Sequence, residues 1–185
     1  CPNGTFFNSD TDQCLSICPL DTSTNHQLYG DSTSTEAKCV NATDCPYSYY
    51  ADDNVGLCVN ACTEGQWIHG KNCVVQCPDG YYGNPSSLVC VIPTACPTNY
   101  YADNETVTCV SECQGSFADD STSTCVLVCP VISSVLYYAD PVTRKCATTC
   151  TNNATIQLVK NDLNQTCVSQ CSPQLFLDPF TFNCT

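Results

Sequence analysis

The 185-residue sequence has no methionine, one tryptophan, two histidines and only five basic residues, and each shortage closes off a class of function. Nucleic-acid binding needs clustered Lys and Arg to neutralise phosphates, and five cations set against 18 acidic residues form no such patch. The same electrostatics argue against anionic membrane surfaces as partners. No apolar run approaches the roughly twenty residues of a membrane-spanning helix, so direct membrane insertion of this stretch is not expected. No signal peptide is present either, and the sequence starts at Cys1. It is therefore expected to be mature or excised, with a secretory signal upstream and any anchor outside the stretch. His26 and His69 stand apart in unlike contexts, which suits neither a nucleophile–base pair nor a Cys–His zinc site. No enzyme activity, cofactor or metal is expected.

What the sequence has is cysteine. Twenty in 185 residues is about one in nine, the density of a disulfide scaffold. Cytosolic glutathione would keep so many thiols reduced, so an oxidising compartment is implied: extracellular, secreted or at the cell surface. The acidic excess then reads as charge that keeps a long exposed surface soluble and self-repelling.

The cysteines fall into couples. Seven have three intervening residues: Cys14/Cys18, Cys58/Cys62, Cys73/Cys77, Cys109/Cys113, Cys125/Cys129, Cys146/Cys150 and Cys167/Cys171. Two, Cys39/Cys45 and Cys90/Cys96, have five. Between couples runs a loop whose commonest span is thirteen positions, a regular internal repeat. The loops share chemistry as well as length, as CPYSYYADDNVGLCVNAC from Cys45 and CPTNYYADNETVTCVSEC from Cys96 show. Each has Cys-Pro or a variant, an aromatic pair, Asp/Asn/Gly turn residues and a short run into the next cysteine. Aromatic and β-branched residues around such a turn predict two short strands, a β-hairpin. The stretch Cys39 to Cys62 matches Cys90 to Cys113 at an offset of 51 residues, which points to duplication of a three-module block. The best helix candidate, Thr155 to Asn164, is short, polar and interrupted, so little helix is expected.

The simplest pairing closes each loop on itself and gives ten modules. Numbered in chain order, these are Cys1–Cys14, Cys18–Cys39, Cys45–Cys58, Cys62–Cys73, Cys77–Cys90, Cys96–Cys109, Cys113–Cys125, Cys129–Cys146, Cys150–Cys167 and Cys171–Cys184. The alternative interlocks bridges across each couple, and spacing alone leaves both open. A hairpin of a dozen residues is marginal in water, and a bridge closing such a loop adds about 3 kcal/mol, so cross-links take the place of a core. The expected fold is thus small, disulfide-rich and mostly β: one continuous array over residues 1–185, a linear rod of about ten single-disulfide hairpins cut from a longer chain. The aromatic pairs Phe6/Phe7, Tyr49/Tyr50, Tyr81/Tyr82, Tyr100/Tyr101 and Tyr137/Tyr138 supply the stacking contacts, one ring packing on a neighbour and the other facing out.

The loops from Cys77 and Cys96, with C-P-x-x-Y-x-x-x-[D/N] running into C-V-x-x-C, resemble the furin-like cysteine-rich modules of growth-factor receptors. They are most similar to the single-disulfide modules of the epidermal growth factor receptor family, and longer arrays of the kind resemble cysteine-rich surface proteins of ciliates. The resemblance implies modules that close on themselves. It covers nearly the whole chain but rests on spacing, Cys-Pro and aromatics. The double-disulfide modules and flanking ligand-binding domain of the receptors are missing, so growth-factor binding is not implied.

Six N-x-[ST] sequons mark candidate N-glycosylation sites: Asn3, Asn41, Asn104, Asn153, Asn164 and Asn183. Asn183 has Cys184 in its middle position, a poorer acceptor context, and Asn3 lies beside the first bridge. The acidic pairs Asp52/Asp53, Asp103/Glu105 and Asp119/Asp120 lack the convergent spacing of a calcium loop and read as water-solvated turns. Together these features suggest a structural extracellular glycoprotein that carries covalent glycans and self-associates into a surface filament or cell coat. The alternative is a receptor ectodomain or adhesin displaying the long insert between Cys18 and Cys39.

Overall fold

The computed structural model describes residues 1–184. The chain packs as two compact units: Cys1–Asp79 with Pro85–Cys90, and Gly80–Asn84 with the chain from Val91 onward. Both are small, disulfide-rich and mostly β. Among the described residues the only helical elements are two 3₁₀ turns, Ala42–Asp44 and Pro93–Ala95, in the two five-residue links. The Thr155 to Asn164 stretch contains a strand, Val159–Asn161, instead of a helix.

Each module is an antiparallel hairpin of three-residue strands, shortened to two in the tenth. In module 6, Tyr101–Asp103 pairs with Thr108–Val110, setting Ala102 opposite Cys109. The same register puts a central first-strand residue opposite the closing cysteine as Phe7↔Cys14, Gly30↔Cys39, Ala51↔Cys58, Ile68↔Cys73, Ala118↔Cys125, Ala139↔Cys146, Lys160↔Cys167 and Leu177↔Cys184. Every module closes on itself through one disulfide, and no free cysteine remains among the described residues.

Successive modules join by one repeated backbone bond. The central amide of a first strand donates to the carbonyl just before the second strand of the next module, making a parallel pairing. In the first unit the bonds run from Phe7 to Ala37, Gly30 to Gly56, Ala51 to Lys71 and Ile68 to Leu88, over 2.7–2.9 Å. In the second they run from Gly83 to Val107, Ala102 to Ser123, Ala118 to Arg144, Ala139 to Gln165 and Lys160 to Phe182, over 2.8–3.0 Å.

In seven of these nine bonds the accepting residue has a left-handed backbone: Gly56, Leu88, Val107, Ser123, Arg144, Gln165 and Phe182, with φ from 53° to 68°. Only one is glycine. The conformation costs an L-residue about 1–2 kcal/mol, and Val107, being β-branched, is an especially rare occupant. It closes the turn tightly, as when the Arg144 amide reaches the Asp140 carbonyl at 2.9 Å. It also leaves the residue's own carbonyl facing the preceding module. The strain is the local cost of the joint.

The core is a string of small clusters, one at each of five joints, built around a disulfide. Tyr29 packs with Ala51 and the Cys45–Cys58 bridge, Tyr82 with Ala102 and Cys109, Tyr101 with Ala118 and the Cys113–Cys125 bridge, and Phe117 with Ala139 and the Cys129–Cys146 bridge. At the first joint the Phe6 ring lies over Gly30, where an added Cβ would come 2.5 Å from a ring carbon. At this joint the ring requires glycine at the strand centre of the next module, and alanine fills the same place at Ala51, Ala102, Ala118 and Ala139. The paired aromatics divide unequally. Phe6 and Tyr82 are buried beside exposed Phe7 and Tyr81, whereas Tyr100 and Tyr137 stay half-buried against the clusters that hold Tyr101 and Tyr138 or their neighbours.

Candidate functional site

The side chains capable of chemistry converge on the module joints. The last residue of a first strand is Asp or Asn in nine of ten modules, His69 being the exception. Its side chain accepts the backbone amide two residues on. These bonds run from the Asp10 N–H to Asn8 at 2.8 Å, Thr33 to Asp31 at 2.9 Å, Asn54 to Asp52 at 2.9 Å, Ser121 to Asp119 at 2.9 Å, Val142 to Asp140 at 2.8 Å and Leu163 to Asn161 at 3.1 Å. This is an Asx turn, which short polar side chains favour. The expectation of water-solvated acidic turns fails at four of the six residues: Asp52 and Asp119 are buried, and Asp53 and Asp120 accept tyrosine hydroxyls from the preceding module. Asp52, Asp119 and Asp140 are 0–2 % exposed, and protein donors take the place of water.

Two of these carboxylates also hold the next module. Asp52 accepts the Thr63 hydroxyl at 2.6 Å and the Gln66 amide at 3.2 Å, and Asp140 accepts the Thr151 hydroxyl at 2.6 Å and its backbone amide at 2.7 Å. Thr63 and Thr151 follow the first cysteine of their modules, where six other modules carry Cys-Pro. Burial pushes both carboxyls up, but the threonine hydroxyls and backbone amides outweigh it and leave each below its ordinary value of 3.8.

A second contact crosses the joint from the first residue of the first strand. The hydroxyls of Tyr29, Tyr82, Tyr101 and Tyr138 donate to Asp53, Asn104, Asp120 and Asp162 of the next module, at 2.5–2.7 Å. Each acceptor stands immediately after an Asx-turn residue. Where that position is Pro, in Pro85, Pro141 and Pro179, the preceding module offers Trp67, Phe117 and Val159, which carry no hydroxyl. Tyr meets Asp or Asn at four joints and a hydroxyl-free residue meets Pro at three, a pattern written across two modules that Phe6, followed by Ser32, does not share. Tyr50 followed by Gly70 is the one tyrosine outside it.

Burial and the Asp162 carboxylate push the Tyr138 hydroxyl from 10.0 up to about 12. Because the folded value is raised, the stabilisation is complete below pH 10 and lost as pH rises through the folded value. Tyr138→Phe is therefore expected to cost this joint about 1 kcal/mol at neutral pH and to remove part of the alkaline unfolding limb. Tyrosinate absorbance, followed alongside pH-dependent denaturation, checks it.

Cations complete the joints. Lys71 donates to the carbonyls of Cys45, Pro46 and Tyr49 at 2.8–3.2 Å. Arg144 donates to Cys113 at 2.9 Å and lies 5.5 Å from the Phe117 centroid. Lys145 reaches the Tyr101 oxygen at 2.6 Å and Asp120 at 3.1 Å, and Lys160 sits 5.3 Å from the Tyr138 centroid. Tyr101, then Lys145, hold Asp120 below the usual carboxylate range. Four of the five basic residues thus contact preceding modules.

The sequons are dispersed. Asn3, Asn41, Asn104, Asn153 and Asn164 are exposed, at turns or at the start of a 3₁₀ turn. Asn104 is both a sequon and the acceptor of the Tyr82 hydroxyl, which fixes its carboxamide plane and leaves the nitrogen outward. Asn183 lies half-buried in a strand paired with Lys160, and the last residue of its sequon, Thr185, lies outside the described residues. Among the described residues no three His, Cys, Asp or Glu side chains converge as metal ligands, and no helix is long and apolar enough to cross a membrane. Two depressions, of about 640 and 650 Å³, flank the insert of module 2.

Comparison of the chain with protein-family models, with curated proteins and with solved structures finds no match.

Proposed function

We propose that the chain is a structural extracellular glycoprotein, a subunit or segment of a surface filament or cell coat. The observation that carries this reading is the joint. Buried carboxylates, tyrosine hydroxyls and ammonium groups are consumed in holding one module to the next. That is an investment in mechanical continuity. Ten disulfides suit an oxidising exterior, and an excess of 18 acidic over 5 basic residues keeps the chain hydrated and self-repelling. On this reading the furin-like likeness is one of module grammar and brings no ligand with it. A second reading, a receptor ectodomain or adhesin module, draws on the two depressions beside the module 2 insert. Negative-stain imaging of glycosylated, non-reduced protein tests both. Filaments with a regular axial repeat support the structural role, and isolated particles at every concentration favour recognition.

A further inference from the structure

Asn41 opens the 3₁₀ turn Ala42–Asp44 in the extended conformation of a helix N-cap, φ −68° and ψ 160°, yet its side chain makes no capping bond. Asparagine at that position ordinarily caps. The matching link in the duplicated block holds Ile92 in the same conformation, φ −72° and ψ 159°. The backbone therefore has no need of an asparagine here. What Asn41 adds is the exposed Asn41-Ala42-Thr43 sequon, set on the shared rim of two depressions.

The two sides of that rim differ. One depression, of about 640 Å³, has Leu28 and Val40 in its lining, the partly exposed ring of Phe7, and the carboxylates of Asp10, Asp21 and Asp44. Its volume falls within the roughly 300–1,000 Å³ range of small-ligand clefts. The other is lined by His26, Asp53 and Asn72, and its one aromatic residue, Tyr29, is buried. A pyranose presents axial C–H groups to an aromatic face and hydroxyl donors around its edge, so an exposed ring beside several carboxylates fits a saccharide. Such a surface binds free sugar weakly. Tethering at Asn41 supplies an effective concentration in the millimolar range, which is enough to populate a weak contact.

We propose that the groove bounded by Phe7, Asp10, Asp21 and Asp44 seats the innermost sugars of the chain's own N-glycan on Asn41. The inference rests on the extracellular-glycoprotein reading and adds to it a glycan that is part of the folded surface between modules 1 and 2. The pyranose ring lies over Phe7 and its hydroxyls donate to the carboxylates.

The test uses the chain secreted by eukaryotic cells held at the high-mannose stage. Glycopeptide mass spectrometry gives occupancy at each sequon, and an endoglycosidase that cuts within the chitobiose core is applied to the native protein. Release from Asn41 is expected to be about tenfold slower than from Asn153 at the exposed tip of the module 9 insert, a docking free energy of about 1.4 kcal/mol. After reduction and denaturation the two rates should coincide. Phe7→Ala should bring the native Asn41 rate up to that of Asn153. Asp10→Asn, which keeps the ring and the fold, should move it part of the way. The proposal is overturned if an occupied Asn41 is cleaved natively as fast as Asn153, or if His26→Ala and not Phe7→Ala releases it. Glycans at other sequons with none at Asn41 would overturn this inference alone. A chain without glycans at any sequon would take the glycoprotein reading down as well.

Discussion

Asp140→Ala is expected to open the joint between modules 8 and 9 at a cost of about 3 kcal/mol, the scale for leaving buried donors of a charged hydrogen-bond acceptor unpaired. The carboxylate is 1 % exposed and receives the Val142 amide at 2.8 Å, the Thr143 amide at 3.3 Å, and both the amide and hydroxyl of Thr151 at 2.7 and 2.6 Å. Alanine keeps the chain geometry and removes every acceptor. Val142 and Thr143 are exposed and recover water, so most of the loss falls on half-buried Thr151. Asp140→Asn keeps one oxygen for the Asx turn and sets an amide against the threonine donors, and should cost less. The folded carboxyl lies below 3.8, so its stabilisation is present above that pH and lost as pH falls through the folded value. The asparagine variant should accordingly flatten the acid limb of unfolding. Hydrogen exchange at the Ala139 amide, which donates across the joint to Gln165, reports the opening directly. Unchanged exchange there in Asp140→Ala would refute the account. Asp103, half-buried in the same position of module 6 and bonded only within its own turn, supplies the comparison. Its alanine variant is expected to cost about 1 kcal/mol.

Reading the chain as cysteine loops was enough to reach the hairpins, because aromatic and β-branched residues around Asp, Asn and Gly carry their own signal for strand and turn. The joints were less legible. The left-handed residues that present a carbonyl to the preceding module include Leu88, Val107, Arg144 and Gln165, and no local preference marks such side chains for that conformation. It is imposed by the turn and the neighbouring module together. A first acid such as Asp52 reads as a solvated turn residue because donors that hold it stand in the next module, Thr63 and Gln66, 11 and 14 residues further along the chain. A signal for it does exist in the sequence. Asp or Asn recurs five residues before the second strand in eight of the ten modules, and the Tyr-with-Asp/Asn and hydroxyl-free-with-Pro pattern is visible once adjacent modules are aligned by that place rather than by their cysteines. The sequons were legible as motifs. Their standing as exposed or half-buried was not, since the half-burial of Asn183 follows from its strand pairing with Lys160.

The joint rule has an energetic corollary at the disulfides. Replacing Cys96 and Cys109 together by serine removes a bridge that closes a loop of separation 13, a loss of about 3 kcal/mol by loop-closure entropy. In a globular domain that cost would be shared by the whole core. Here the clusters are separate, and Cys109 belongs to the one that holds Tyr82 and Ala102. Stability in such an array is a sum of module and nearest-neighbour contributions. The opening should therefore stay near module 6. Amide exchange at Gly83 and Ala102, which donate to Val107 and Ser123, is expected to rise by about a hundredfold. Exchange at Ala139 and Lys160, whose joints keep their own bridges at Cys129–Cys146 and Cys150–Cys167, is expected to hold. A uniform rise across the unit would mean that the modules unfold as one cooperative body and that the joints, not the bridges, set its stability. A local rise means that each bridge guards its own hairpin. An array built that way can lose one cross-link and keep its other joints intact.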